Sequence, residues 1–293
     1  MVLLQQHSAG PVNFRRLGIA LLLTFNVTGS ALAFEGVMPQ MPASVGPAEQ
    51  AYSAYQKGDF DTARTLWQQA ATAGDTSAQY NLGLLYAEGR GLVRNPDAAM
   101  TWWRLAARSG HLQAQHNLAL AYLGGETIVP GVADEPRMEE AISWLRKAAE
   151  GGLASSRFTL GSVLHARAAT PKEQSAALAW LIAATQQDHR EAQLFLGNCY
   201  FDGEGVGVDR REALSLFLKA ASHGHAPAQD RLAALYQRGD FVRADKVEAL
   251  AWARLAGLSG LASAQQRQQD LEVEMSASDI EAATLRANAL VGN

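Results

Sequence analysis

Apolar positions recur along this chain on two scales. Over a single segment they fall at helical spacing. Ala78, Leu82, Gly83 and Tyr86 share one helix face, and Ala99, Trp102, Ala106 and Ala107 share another a short loop later. Over the whole chain the pair returns. Leucines at 82, 118, 160, 196 and 232 are spaced by 36, 42, 36 and 36 residues. A second landmark, Leu66, Trp102, Trp144, Trp180, Leu216 and Trp252, keeps the same period and the same six-residue insertion. One helical hairpin cannot bury its own stripes, whereas stacked copies bury a continuous core. The pattern therefore predicts an all-α solenoid of about six helix-turn-helix repeats. Gly110, Gly152, Gly224 and Gly260 stand where each second helix should end in a left-handed residue, and Asp188 takes that place in one degenerate copy. The repeat stops after Ala264. Ser278-Asp279-Ile280-Glu281 reads as a capping box opening a last helix toward Leu290, expected to close the stack with a more polar outer face.

Copies such as Ala78-Gln-Tyr-Asn-Leu82-Gly83-Leu-Leu-Tyr86-Ala-Glu-Gly89-Arg-Gly91 and Ala192-Gln-Leu-Phe-Leu196-Gly197-Asn-Cys-Tyr200-Phe-Asp-Gly203-Glu-Gly205, each followed by a second-helix stripe, resemble the Sel-one-like repeat family, a relative of the tetratricopeptide repeats. The resemblance spans residues 78–264. Residues 47–77, with Gly58-Asp59-Phe60-Asp61-Thr62-Ala63, resemble a tetratricopeptide-type opening unit. It implies a right-handed α-solenoid, ending in a C-terminal capping helix over 265–293, that works as a protein-binding adaptor. The third copy departs from the pattern. Leu164 replaces Tyr, the glycine pair is missing, and the loop from Arg167 to Pro171 is expected to be irregular.

Composition adds a compartment. Arg15 and Arg16 precede a short apolar run, Leu17 to Val27, and Ala31-Leu32-Ala33 is a small-x-small cleavage site, so residues 1–33 read as a secretory signal peptide. The apolar run is shorter than the roughly 20 residues a membrane span needs. The mature chain, beginning near Phe34, is expected to be periplasmic or secreted, without an integral membrane segment. Residues 34–46, with Pro39, Pro42, Gly36 and Gly46, read as a flexible lead. Losing the leader takes the net charge from −4 to −6, and no window holds a dense Lys/Arg cluster, so nucleic acid is a poor partner. Cys199 is the only cysteine. Its place in a helical stretch reads as a buried small apolar side chain.

Candidate chemistry is sparse. His111, His189 and His225 share one turn position in three repeats. Neighbouring repeats lie roughly 10 Å apart while zinc ligands converge to about 2 Å from the ion, so a shared repeat position argues against a metal site. No nucleophile elbow, phosphate loop or dinucleotide fingerprint appears. The hydrolytic relatives resemble a cysteine-rich subgroup that one cysteine cannot match. Neither an enzyme nor a cofactor is expected. The helix tryptophans at 102, 144, 180 and 252 read as repeat core. Trp67 and Trp103 lie off that register, and a carbohydrate-binding alternative, for peptidoglycan or exopolysaccharide, requires them to be exposed on one face.

A protein or peptide partner remains. By resemblance, first helices line the concave surface, with contacts two and one residues before the motif leucine. These are Tyr80, His116, Phe158, Leu194 and Asp230, then Asn81, Asn117, Thr159, Phe195 and Arg231. A carboxamide both donates and accepts, so Asn81 and Asn117 suit the backbone of an extended peptide. Tyr80, His116 and Phe158 offer adaptable apolar contact, and Phe195 stands at the second contact position. Arg231 adds a charge, and Ile128 and Val129 project from the inserted loop, Gly124 to Pro136.

Overall fold

The computed structural model describes residues 39–40, 46–124 and 135–291. The signal segment, most of the lead and the insertion bearing Ile128 and Val129 lie outside the described residues. Among those described there are fourteen α-helices and no strand. The architecture is an all-α repeat solenoid. The helices pair as α1 (Pro47–Gln56) with α2 (Phe60–Thr72), α3 (Thr76–Glu88) with α4 (Pro96–Arg108), and α5 (Leu112–Gly124) with α6 (Glu135–Glu150). Then come α7 (Ala154–Arg167), α8 (Pro171–Thr185), α9 (Arg190–Asp202) with α10 (Arg210–Ser222), and α11 (Ala226–Arg238) with α12 (Lys246–Leu258). The chain closes on α13 (Ala262–Glu274) and α14 (Ala277–Val291). Two compact units result, one ending at Arg167 and one starting at Ala168, in the loop that the sequence marks as irregular.

In the first unit each helix from α1 to α7 packs on the next. Second helices start at side-chain caps. Asp59, Asn95, Asp209 and Asp245 accept from the exposed N–H groups of the first turn, which a helix leaves without internal partners. Helix α8 starts at a capping box, Thr170 with Glu173. First helices are capped one landmark earlier, by Asp75 and by the imidazoles of His111 and His189, which accept from Ala114 N at 3.2 Å and Ala192 N at 3.3 Å. Two of the three repeat histidines thus start helices, while His225 makes no side-chain cap. At the other end of three second helices, the glutamine of the Ala-Gln motif satisfies a carbonyl, whereas Gln193 turns to the Asp188 carboxylate. Gln79, Gln115 and Gln229 donate to Ala71, Ala107 and Ala221 at 3.0–3.1 Å. In the degenerate copy the Arg157 Nε does this for Ala149.

The tryptophan register differs from the expected one by a residue. Trp67 and Trp103 are 0% and 1% exposed and form the deepest core, with Leu145, Leu181 and Phe217 at the equivalent positions. Trp144 and Trp252 are also buried, but Trp102 and Trp180 are only half-buried. In α4 the buried stripe is Ala99, Trp103, Ala106 and Ala107, centred four residues on from Ala99. Trp102, three on, flanks it. This removes the exposed aromatic pair on which the carbohydrate reading depended. Asp188 is left-handed at φ 56°, filling the glycine's conformational role.

In the second unit α12 packs against both α13 and α14. Gln265 repeats the glutamine cap onto Gly257, so α13 continues the repeat register with a more polar face. The last helix starts earlier than the expected box. Ser276, not Ser278, caps it, taking Asp279 N on its hydroxyl at 3.2 Å. Its outer face exposes Leu285 and Val291, which is less polar than expected of a cap. No described helix is long and apolar enough to cross a membrane.

Candidate functional site on the first helices

The best-defined part of the first-helix face is built around Asn81. Helix α3 is fixed there from three sides. Asp75 caps its start, the Trp103 indole N–H donates to the Tyr80 carbonyl at 3.2 Å, and the Tyr80 ring stacks on His111 with centroids 4.7 Å apart. Tyr80 is therefore buried completely and is not available as a surface contact, contrary to the expectation. Its hydroxyl lies beside Asn117, and burial pushes its pKa well above the usual phenol value.

The Asn81 carboxamide makes two hydrogen bonds to one backbone residue. Its Nδ2 donates to the Gln40 carbonyl and its Oδ1 accepts from the Gln40 N–H, both at 2.8 Å. Donor and acceptor are satisfied together by the main chain of one residue, as neighbouring strands satisfy each other in a sheet. The docked residues are Pro39, which is buried, and Gln40. Asn117, the equivalent residue one repeat later, is 2% exposed, and its Nδ2 makes no hydrogen bond of good geometry. Beside it His116 Nδ1 lies 2.9 Å from the Ser156 hydroxyl, joining α5 to α7. Phe158 and Thr159 are half-buried on α7, and the Thr159 hydroxyl is spent on the Ser155 carbonyl.

In the second unit the same positions give a different surface. Leu194 and Phe195 are half-buried on α9. Asp230 is held by Arg267 at 2.8 Å and by Ser263 at 2.9 Å, so it is a structural acceptor. The Arg231 guanidinium lies 4.9 Å over the Phe201 ring and 5.6 Å from that of Phe217. Burial lowers its pKa, and its buried Nε carries no hydrogen bond. Desolvated cations on aromatic faces are held by the ring quadrupole. Cys199 is buried, and its thiol is pushed up to about 12 by burial first, then by Glu204 and Asp202. It is a packing residue with no thiolate character.

Two features escaped the sequence. Nothing marked Gln40 as the occupant of Asn81, although Pro39 and Pro42 bias the lead toward extended backbone. The aromatic bed of Arg231 comes from Phe201 and Phe217, on two different helices.

Comparison with known proteins places this geometry. The Sel1 repeat matches residues 49–75, 76–111, 112–153, 156–189, 190–225 and 226–261, so a copy of the repeat also covers the segment read as a tetratricopeptide-type opening unit. A search among curated proteins finds no match. Among solved structures, c5321, a protective antigen present in uropathogenic Escherichia coli strains and displaying an SLR fold, is similar at 28% identity and TM-score 0.73, over 84% of this chain. The match covers 52% of that protein, so this chain spans about half of its length. A Sel1 repeat protein from Oxalobacter formigenes is similar at 28% identity and TM-score 0.67, over 77% of this chain and 87% of that one. With six copies of the repeat in register with its helical hairpins, the chain belongs to the Sel1 repeat family.

Proposed function

We propose that this protein is an exported, non-catalytic scaffold of the cell envelope that holds an extended segment of a protein partner on its first-helix face. Sel1 repeats typically mediate protein interactions, which sets the class. The observation that carries the mode is the double hydrogen bond from Asn81 to the Gln40 backbone, a main-chain contact on the face assigned to the partner. Asn117 offers the same carboxamide one repeat on, beside the Tyr80 hydroxyl. Helix rows about 10 Å apart match three residues of extended chain at roughly 3.3 Å each. A peptide bound at Asn81 therefore presents its next clamped residue to Asn117 three positions along. Backbone clamps supply affinity without sequence preference, and the residues that vary between copies in the first unit, His116 and Phe158, supply selectivity. Export rests on the leader-like order of Arg15-Arg16, Leu17 to Val27 and Ala31-Leu32-Ala33.

The test is affinity capture from envelope extract with the wild-type chain and with the Asn81→Ala/Asn117→Ala double variant, read by mass spectrometry. A species held by the wild type and lost from the variant is expected. Equal capture by both overturns the first-helix site. N-terminal sequencing of the exported protein should begin at Phe34, and a retained leader overturns the compartment.

A further inference from the structure

We infer that the lead segment around Pro39–Gln40 is an intramolecular ligand of the Asn81 clamp, so that the protein gates its own binding face. This rests on the reading of that face as a peptide site. Asn81 is 1% exposed, and Gln40 takes both its donor and its acceptor. Any partner backbone that uses Asn81 must first displace Gln40. The hydrogen bonds go to the main chain of Gln40, with Pro39 buried beside it, so a partner segment making the same bonds competes for the same place.

The tether sets the strength of the gate. Six residues separate Gln40 from the start of α1 at Pro47. A ligand tethered through a linker of this length is presented at an effective concentration on the order of millimolar. A free segment of the same kind, with an intrinsic Kd of about 0.1 mM, is then weakened roughly tenfold by the docked lead. Partners with further contacts at Asn117 and Phe158 overcome such a gate, whereas short adventitious peptides do not. The gate filters for length of engagement.

The substitutions that test this leave the chain full length. Gln40→Pro removes the N–H that donates to Asn81 Oδ1, while Gln40→Ala keeps both backbone groups. The probe is a synthetic peptide of residues 34–46 carrying a fluorophore, read by anisotropy. It should bind Gln40→Pro about tenfold tighter than the wild type, by the same effective-concentration reasoning. Gln40→Ala should bind it like the wild type, because the side chain is not what docks. Methylating the probe's amide nitrogen at its Gln40 position should abolish binding to Gln40→Pro, as should adding Asn81→Ala. Equal probe affinity for Gln40→Pro and wild type overturns the gate. So does tight binding by Gln40→Ala, which would make the side chain the ligand. If the probe fails to bind any variant while envelope capture still depends on Asn81 and Asn117, the gate fails and the scaffold stands. If the probe result holds while capture ignores both asparagines, the clamp serves only the lead and the scaffold reading fails.

Discussion

Gly83 lies directly beneath the indole of Trp103, and a Cβ added to Gly83 would overlap the Trp103 ring. The Gly197–Phe217 pair repeats the relationship, with a built Cβ 2.6 Å from the Phe217 ring. In this motif the glycine is the socket for an aromatic knob from the second helix of its own hairpin.

Two opposing effects meet in Gly83→Ala. An exposed helical glycine gains about 0.5–1 kcal/mol on becoming alanine, whereas overpacking a tight core costs about 1–3 kcal/mol. Overlap with a fully buried ring decides the sign, so urea denaturation should show net destabilisation. Trp103→Ala should cost about 3–5 kcal/mol, and the half-buried Trp180→Ala less than about 2 kcal/mol. A larger loss at Trp180 than at Trp103 would restore the tryptophan register expected from the sequence.

The docked lead should be visible in hydrogen exchange. The Gln40 amide, bonded to Asn81 Oδ1, should exchange more slowly in the wild type than in Asn81→Ala, with amides near Trp67 unchanged. Equal exchange at Gln40 in both proteins would mean that the lead is not held in solution.

Protonation should weaken the repeat. His111 and His189 accept backbone N–H bonds on Nδ1, which requires the neutral ring, and burial lowers the pKa of each below the ordinary 6.5. A histidine with a depressed native pKa contributes stability that is complete above its unfolded value. That contribution is lost as pH falls through the native one. Glu191 beside His189 and Asp75 near His111 oppose the shift, and burial outweighs them. The urea midpoint should therefore fall as pH drops below about 6.5. Asn caps a helix without titrating in this range, so His111→Asn should flatten part of that fall. An unchanged slope in the variant would remove His111 from the account.

How far the sequence reached depended on the range of each interaction. Period, hairpins and family were legible because each repeat's core is local, and two landmarks carried it. The Asn81 and Asn117 carboxamides were legible as backbone readers from their chemistry alone. The tryptophan register slipped because Trp102 and Trp103 are adjacent, and stripes three and four residues on from Ala99 look alike until the neighbouring helix is placed. The burial of Tyr80 is not legible locally, because it is set by the ring of His111 after the next helix and by Asn117 in the next repeat. Ser278 satisfied the capping-box pattern, but α13 ends at Glu274, which leaves Ser276 in the capping position. The pairing of Gln40 with Asn81 spans 41 residues and has no local signature.

The most direct test of the scaffold reading is the affinity of the captured partner segment for the Gln40→Pro chain with and without Asn81→Ala/Asn117→Ala, by isothermal titration calorimetry. Clearing the lead first removes competition from both measurements. The double substitution should leave the melting temperature near the parent's, and binding should weaken by about 1 kcal/mol for each lost backbone contact. Partner binding at the parent's strength would contradict backbone recognition by the first helices.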